Sequence, residues 1–237
     1  MGTSFWRLDL GITSCYLLKA AEGYLLIDTA YAKDYRKFLR RLAALKISPK
    51  EIHALLLTHH HDDHAGFAAR LQAETGCRLI VHRKAVDPLG RGRSEEAPGP
   101  VNACTGAVLA LFSLVHGEFS YPPLTVTVED VVLAGDDHEL LPGAGIAGSI
   151  LCTPGHTADS LSVVLADGSA FVGDAAMNFL RFCGTRHRPI FVEDGEAVRA
   201  SWDKLAAHGA RRIYPAHGRP FPADRLALRG LRRRLDG

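Results

Sequence analysis

The chain has 237 residues, of which 47% are hydrophobic and 23% are charged, a balance typical of globular domains with a substantial core. Its formal net charge of only +2 provides no overall field that would gather nucleic acid. The N-terminus has no basic region followed by an apolar run, and no stretch approaches membrane-spanning length. We therefore expect a cytoplasmic protein with no membrane or nucleic-acid partner. A homodimer is compatible with the sequence.

The first part of the chain alternates between strand and helix patterns. Residues 15–18 and 24–27 read as a β-hairpin around Gly23, and the second strand ends at Asp28. Residues 34–45 place apolar side chains at helical spacing. Residues 52–57 form a nearly continuous apolar strand, followed at once by a polar cluster rich in histidine.

The middle of the chain contains a less regular segment. After the histidine-rich cluster, residues 65–74 predict a helix and residues 78–82 a strand. Residues 85–122 carry many prolines and glycines around one apolar stretch, 108–115, for which we predict a short helix. Long irregular segments inside compact domains are usually functional. We therefore predict a single domain over 1–237 with a lid or pocket wall inserted at 85–122.

Strand patterns resume after this insertion. They cover residues 124–128, 131–134, 146–152, 161–165, 170–172 and 212–214, with one helix predicted over 196–207. The last 20 residues would form at most an Arg-rich amphipathic helix, whose basic face is expected to be solvated.

The cysteines give no sign of a disulfide framework. They are odd in number, scattered, and never spaced as C-x-x-C: Cys15, Cys77, Cys104, Cys152 and Cys183. This pattern predicts reduced thiols.

Potential metal ligands follow the predicted strands. In the cluster Thr58-His59-His60-His61-Asp62-Asp63-His64, an extended backbone would project His59, His61 and Asp63 to one side, while His64 departs from that alternation. His60 and Asp62 are also possible ligands by residue type. Histidine-rich runs occur as exposed metal-sequestering tracts as well, but this run follows a core strand.

Three single residues repeat this placement at a strand end. His156 lies in Thr153-Pro154-Gly155-His156, Asp174 follows Phe171-Val172-Gly173, and His217 follows Ile213-Tyr214-Pro215-Ala216. Taken alone, each would more often be a structural histidine or a turn residue. Together with the first cluster they predict a metal centre, because imidazole and carboxylate groups suit divalent zinc, iron or manganese.

The sequence resembles the metallo-β-lactamase-fold hydrolases. Their motif H-x-H-x-D-H matches His59-x-His61-x-Asp63-His64, and their later single ligands match His156, Asp174 and His217. The resemblance implies an α/β (α+β) fold, a four-layer αββα sandwich. It also implies that His59, His61 and His156 hold one ion, that Asp63, His64 and His217 hold a second, and that Asp174 bridges them. Asp28 would orient ligands, although a turn-forming role is nearly as well supported.

This ligand set predicts a hydrolase with two divalent ions, most readily Zn²⁺, with Fe or Mn as alternatives. Two such ions would lower the pKa of a shared water from 15.7 to about 7 and provide a metal-bridged hydroxide. Asp63 or Asp174 could transfer the proton to the leaving group, although both are also expected to be ligands.

The expected substrate class follows from the positions at which this sequence differs from known subfamilies of the metallo-β-lactamase-fold hydrolases. Members that hydrolyse antibiotics usually have Cys or Ser where Asp174 stands, and glyoxalase II members continue into a longer C-terminal helical region. We expect a small-molecule ester, thioester or lactone, ranked above a phosphodiester, with an acyl pocket drawn from a set of apolar residues that could equally be core: Leu109, Leu111, Phe112, Leu114, Phe119, Met177, Phe179 and Phe182.

Two other classes stay open: a mononuclear-iron sulfur (persulfide) dioxygenase, and a noncatalytic metal-binding protein. Arg181, Arg186 and Arg188 could hold a substrate anion, but a solvated surface is the simpler interpretation. The remaining histidines are predicted not to be ligands: His53, His60, His82, His116, His138, His187 and His208.

Overall fold

A computed structural model describes residues 2–94, 100–116 and 119–227. Half of the predicted C-terminal helix and parts of the predicted lid therefore lie outside the described residues. Two β-sheets dominate the described part of the chain, and the helices cover their outer faces. No helix in these residues has both the length and the apolar character needed to cross a membrane.

The first sheet is built from the N-terminal half of the chain. Its six strands lie in sequence order: β1 (Phe5–Asp9), β2 (Ser14–Lys19), β3 (Tyr24–Ile27), β4 (Ile52–Leu56), β5 (Arg78–His82) and β6 (Val131–Leu133). The pairs β1–β2 and β2–β3 are antiparallel, whereas β3 to β6 are parallel. The predicted hairpin around Gly23 is confirmed, and Gly23 adopts a φ of 62° that suits glycine in a tight turn.

The second sheet is built from the C-terminal half. Its order is β11-β10-β9-β8-β7, formed by β7 (Gly148–Cys152), β8 (Leu161–Leu165), β9 (Ser169–Phe171), β10 (Arg212–Tyr214) and β11 (Phe221–Pro222). The β9–β10 pair is parallel, because a helix crosses over between these two strands.

The helices supply the outer layers and the connections. They are α1 (Tyr35–Ala44), α2 (Asp62–Ala65), α3 (Ala68–Thr75), α4 (Val86–Arg91), α5 (Ala103–His116), α6 (Leu140–Gly143), α7 (Gly195–Ala207) and α8 (Asp224–Ala227). The single helix predicted over 65–74 is therefore two helices, and the predicted strand over 124–128 is absent. An alternating pattern makes a strand only when a neighbouring strand offers hydrogen bonds, and among the described strands this segment has no such partner.

Three hydrophobic clusters explain the layering. One lies between the first sheet and the helices outside it, and includes Phe38 of α1 and Leu71 of α3. A second fills the space between the sheets, where Leu56 of β4 and Phe171 of β9 are both buried. A third packs the second sheet against α7 through Trp202. The expected αββα sandwich is confirmed, with helices outside two face-to-face sheets.

The cysteines correct one sequence prediction. Cys104, at the start of α5, forms a disulfide with Cys183, which lies 79 residues later. Cys15, Cys77 and Cys152 are free thiols, as expected. The prediction of reduced thiols is therefore wrong for this pair. The fold brings two scattered cysteines together, and their spacing in the sequence gives no indication of that contact.

Candidate metal centre

All seven predicted ligands meet at one edge of the two sheets. The residues between β4 and α2, together with α2 itself, contribute four of them, and the loops after β7, β9 and β10 contribute His156, Asp174 and His217. His61 immediately precedes α2, and Asp63 and His64 lie within that helix. The extended backbone expected through residue 63 is therefore wrong from Asp62 onward. The helical turn aims Asp63 and His64 at a second group of side chains.

The first group consists of three imidazoles. His59 Nε2 lies 3.1 Å from His61 Nδ1, and His156 Nε2 lies 3.2 Å from each of these atoms. Four ligands at the corners of a tetrahedron, with zinc–nitrogen bonds of 2.0–2.1 Å, are separated by about 3.3 Å from one another. The spacing of the three nitrogens therefore fits one small divalent cation with a fourth position open.

The second group contains Asp63, His64 and His217. His217 Nε2 lies 3.0 Å from Asp63 Oδ2, and His64 Nε2 lies 3.7 Å from Asp63 Oδ1. Asp174 lies between the two groups. Its Oδ1 is 3.5 Å from His64 Nε2 and 3.4 Å from His217 Nε2, whereas its Oδ2 is 3.7 Å from His156 Nε2 in the first group.

Most of the imidazoles are oriented through their second ring nitrogen. His156 Nδ1 lies 2.9 Å from the Phe191 carbonyl oxygen, and His217 Nδ1 lies 3.0 Å from the Ile12 carbonyl oxygen. A ring nitrogen facing a carbonyl must carry a proton, so Nε2 is the nitrogen whose lone pair is free when the ring is neutral. This is the usual arrangement behind histidines that bind metals.

Asp28 orients the ligands of both groups. Its Oδ2 lies 2.9 Å from His64 Nδ1 and also accepts the hydroxyl hydrogen of Thr58 at 2.8 Å. The Thr58 Oγ1 atom in turn lies 3.2 Å from His59 Nδ1. Asp28 has a φ of 60°, an uncommon conformation for a residue with a side chain, and such conformations tend to occur at functional sites.

The protonation states suit cation binding in the first group. Burial, together with the neighbouring His156, lowers the pKa of His61 to about 3. Burial and the His64 ring lower the pKa of His59 as well. These two histidines are therefore neutral at pH 7, the form that binds a metal.

The second group carries opposite charges. Burial favours neutral side chains there, yet Asp174 and Asp63 outweigh it and raise the pKa of His217 to about 10. In turn, His217 and His64 hold the pKa of Asp174 well below its usual value despite burial. The two carboxylates thus draw protons onto nearby imidazoles. A divalent cation could replace that positive charge.

Two buried polar atoms, one in the second group and one on Asp174, lack hydrogen bonds. His64 Nε2 and Asp174 Oδ1 are enclosed and have no hydrogen-bond partner. Buried polar atoms are nearly always satisfied, and an orphaned pair in one place calls for an explanation such as an ion. Both atoms belong to the residues expected to bind metal. The donor chemistry and the spacing therefore fit divalent ions.

A cavity of about 610 Å³ opens above these groups. Asp63, Asp174, His61, His156 and His217 form part of its lining. Its walls are largely apolar and come from four parts of the chain: Ile12, Val108, Leu109, Phe119, Phe179, Leu180, Ile190 and Phe191. Arg93 is the only lysine or arginine among the described lining residues, and it lies within residues 85–122, where the lid is predicted.

Only some of the apolar residues predicted to form an acyl pocket line the cavity. Leu109, Phe119 and Phe179 line the cavity, and Met177 is buried in the cluster beneath that wall. Leu111 and Phe182 are exposed at 66% and 78%, and neither faces the cavity. The side chains of Phe112 and Leu114 lie outside the described part. Arg181, Arg186 and Arg188 are exposed and do not line the cavity.

Comparison with known proteins identifies the family. The sequence model of the metallo-beta-lactamase superfamily matches residues 8–217, which include all seven potential ligands. The chain belongs to the metallo-β-lactamase superfamily. Most metallo-β-lactamase superfamily members are metal-dependent hydrolases, so the chain is assigned to a hydrolase family with a metal-binding fold.

Related metallo-β-lactamase superfamily sequences are distant. The chain is 26% identical over 219 residues to "Beta-lactamase-like protein 2 homolog" of Drosophila melanogaster, an alignment covering 92% of this chain and 62% of the relative. It is 29% identical over 166 residues to a "Hydroxyacylglutathione hydrolase" of Rhodopseudomonas palustris, covering 68% of this chain and 49% of the relative. The chain thus spans about half to three-fifths of the length of these relatives.

Solved structures share the metallo-β-lactamase fold. A metallo-beta-lactamase family protein from Thermus thermophilus superposes with a TM-score of 0.66 at 24% identity, covering 98% of this chain and 79% of that chain. A subclass B3 metallo-beta-lactamase of Bradyrhizobium japonicum has the same TM-score at 18% identity, covering 99% and 90%. At these identities the likeness concerns the fold.

Several residues near the centre were not found from the sequence. Thr13 donates its hydroxyl hydrogen to Asp63 Oδ2 at 3.1 Å, and Tyr31 lines the cavity. Asp159 pairs with His60 beside the first group. These residues have no motif of their own. Of these three, only Asp159 could have been noticed, as a carboxylate three residues after His156.

A separate, exposed group lies outside the centre. Asp136, His138 and His208 present possible ligand atoms within 4.8 Å of one another. Lys204 Nζ, however, lies 2.9 Å from Asp136 Oδ1 and 3.0 Å from its Oδ2. The lysine ammonium already balances the carboxylate, so we assign no ion to this group.

Proposed function

We propose that the protein is a dinuclear metal-dependent hydrolase that cleaves a small-molecule ester, thioester or lactone. The position of Asp174 provides the main support, because its two carboxylate oxygens face different groups of ligands. A site for a single ion would not need the second group. Zinc is the ion that best suits three imidazoles at this spacing, and iron or manganese would fit the carboxylate-rich second group.

The residues have distinct roles in this proposal. His59, His61 and His156 would hold one ion, Asp63, His64 and His217 the other, and Asp174 would bridge them. Two bound divalent ions would provide a hydroxide near neutral pH and polarise the oxygen of the scissile bond. The Phe191 and Ile12 carbonyls fix the tautomers of His156 and His217, and Asp28 fixes that of His64.

Proton transfer to the leaving group is proposed for Asp63 or Asp174. Both carboxylates line the cavity, where the leaving group of a substrate would lie. Thr13 and His217 occupy Asp63 Oδ2, whereas Asp174 Oδ1 has no hydrogen-bond partner. Proton transfer by a positioned carboxylate typically contributes 10²–10⁴-fold to a rate.

The cavity walls favour an acyl substrate. Val108 and Leu109 on α5 line the cavity together with Phe179 and Phe191, and all four pack against one buried apolar cluster. A hydrocarbon chain buried there would gain about 25 cal/mol per Å² of apolar surface removed from water. Relatives named hydroxyacylglutathione hydrolase support a thioester, although the chain spans about half their length. A phosphodiester would find few cationic groups in the lining.

Metal analysis followed by a substrate screen tests this proposal. The freshly purified protein should contain close to two divalent ions per chain and should hydrolyse at least one acyl thioester, ester or lactone. Iron at one ion per chain, with oxygen uptake on a persulfide, would instead indicate the dioxygenase alternative. Metal without turnover of any substrate would favour a noncatalytic metal-binding protein.

The variant His61→Ala tests the link between metal and turnover. Removing one of three imidazoles should release the ion of the first group and abolish hydrolysis, and both losses should appear together. His53→Ala, at an exposed histidine outside the centre, is the matched control and should retain metal and activity. Full activity in His61→Ala would contradict the proposed mechanism.

A further inference from the structure

A buried pair of side chains, His60 and Asp159, lies beside the first group of imidazoles. His60 and Asp159 are only 3% and 2% exposed, and His60 Nδ1 lies 3.1 Å from Asp159 Oδ2. The same oxygen accepts the backbone N–H of His60 at 3.1 Å. One carboxylate oxygen therefore holds both the ring and the main chain of His60.

The position of His60 gives this pair its importance. His60 stands between His59 and His61, so a bond to its backbone N–H fixes the peptide that separates these two imidazoles. Asp159 stands three residues after His156, the third member of the same group. The pair thus joins the two segments that supply the three closely spaced nitrogens.

Other contacts near the pair support a positioning role. The hydroxyl of Tyr121 donates to the His60 carbonyl oxygen, so the same peptide segment is held from a second side. The backbone N–H of Leu161 donates to the Thr58 carbonyl oxygen at 2.7 Å, which joins the same two segments at their base. Burial alone would raise the pKa of Asp159, but hydrogen bonds from His60 and Thr157 lower it, so the carboxylate is charged.

We propose that Asp159 is a positioning residue that sets the spacing of His59, His61 and His156 through its bonds to His60. This inference rests on the proposed metal centre and assigns a role within it. Asp159 does not line the cavity and belongs to neither group of ligands. Its effect should therefore fall on the first group and leave Asp63, His64 and His217 unchanged.

The test measures each group by itself. In the His217→Ala background only the first group is complete, and in the His156→Ala background only the second is complete. Asp159→Ala is added to each, and Co²⁺ binding to metal-free protein is followed by visible absorption and by competition with a chelator. We expect a ten- to hundredfold weaker affinity and an altered spectrum in the first background only, as is typical of residues that orient ligands.

Two further variants separate the ring from the backbone contact. Asp159→Asn keeps an oxygen that can accept the His60 N–H and should lose less affinity than Asp159→Ala. His60→Gln removes the ring but keeps that N–H, and should also have the smaller effect. Asp137→Asn is the matched control, because Asp137 also accepts two backbone N–H groups but lies away from the centre. It should leave Co²⁺ binding unchanged.

The possible outcomes are distinguishable. Equal losses of Co²⁺ affinity in both backgrounds would show a general effect on folding and would overturn the inference. Unchanged Co²⁺ affinity and spectrum in the His217→Ala background would also overturn it. Thermal unfolding of the metal-free variants identifies a general loss of stability independently. If the unsubstituted protein binds fewer than two ions, the proposed function fails, whereas two ions with an unaffected Asp159→Ala variant would refute the positioning role alone.

Discussion

Asp28 Oδ2 and His64 Nδ1 lie 2.9 Å apart, and both side chains are almost completely buried. The carboxylate therefore fixes which ring nitrogen of His64 carries the proton and directs Nε2 toward Asp63 and Asp174. The hairpin that ends at Asp28 contributes no ligand in the proposed centre. It nevertheless determines the geometry of a ligand 36 residues later.

Asp28→Asn should weaken metal binding in the second group. An amide retains the shape but lacks the negative charge, and its NH₂ group cannot accept the hydrogens from His64 and Thr58. We expect a 10–100-fold loss of metal affinity or activity, as is usual for partners of metal-binding histidines. Isothermal titration of the metal-free protein with Zn²⁺ measures this when Asp28→Asn is added to the His156→Ala background, in which only the second group is complete. An unchanged affinity would exclude the orienting role.

Gly173→Ala should disturb the centre through Thr58. Gly173 has a φ of 51°, and a Cβ there would clash with Thr58 Oγ1, the hydroxyl that joins Asp28 to His59. Gly184→Ala is the control, because Gly184 has a φ of 68° but no heavy atom within 4 Å of the added Cβ. Positive φ costs each alanine about 1–2 kcal/mol.

The difference between the two glycine variants isolates the clash. Chemical denaturation should show a larger loss of the free energy of unfolding for Gly173→Ala than for Gly184→Ala, and only the former should lose bound metal. Equal losses of stability with full metal content in both would contradict the coupling of Thr58 to the ligands.

The disulfide should stabilise the wall of the cavity. A loop of 79 residues closed by a disulfide contributes about 4.5 kcal/mol in the chain-entropy account, and removal of a native disulfide typically costs about 2–5 kcal/mol. The double variant Cys104→Ser/Cys183→Ser should therefore unfold at lower denaturant concentration. Cys152→Ser, at a half-buried free thiol, is the control for loss of a cysteine. Dithiothreitol should lower the stability of the unsubstituted protein but not that of the double variant.

Loss of the same bond should also change substrate binding. Cys104 lies in the first turn of α5, which carries Val108 and Leu109, and Cys183 follows Phe179 and Leu180, which line the same cavity. Without the bond the two segments are tied only by noncovalent contacts. We expect KM to rise for long-chain acyl substrates while kcat for short ones stays close to normal. A change in KM that is the same for long-chain and short-chain substrates would show that the bond does not shape the cavity.

Arg93 should favour substrates with a negative charge. It is the only lysine or arginine among the described lining residues of the cavity. Because the cavity is open to water at this side, Arg93→Ala should raise KM only severalfold for an anionic substrate, within the range of about 0–1 kcal/mol for solvated ion pairs. A neutral substrate of the same shape is the control. An equal change for both substrates would contradict a charge effect.

The sequence predicted the parts of the structure that depend on local patterns. Apolar periodicity located α1 and α7, and the hairpin around Gly23 follows from turn chemistry. The convergence of the ligands could be predicted because each group of ligands in the sequence comes directly after a predicted strand. Other features depend on contacts between distant segments: the Cys104–Cys183 bond, the pairing of Asp159 with His60, and the absence of a strand over 124–128. No local signal reports these.

The length of the helix in the predicted insertion also exceeded the sequence prediction. Residues 108–115 were expected to form a short helix, whereas α5 extends over Ala103–His116. Whether this segment acts as a lid stays a prediction, as does the extent of the domain. Among the described side chains of α5, Val108 and Leu109 line the cavity above the proposed centre.

Asp174 offers one oxygen to each group of ligands, so the two proposed ions would share a single anion. Occupancy of one group would then alter the affinity of the other, and thermodynamic linkage requires the effect to be equal in both directions. Dissociation constants from a titration of the intact protein would consequently describe the pair of ions and could not be attributed to either group separately.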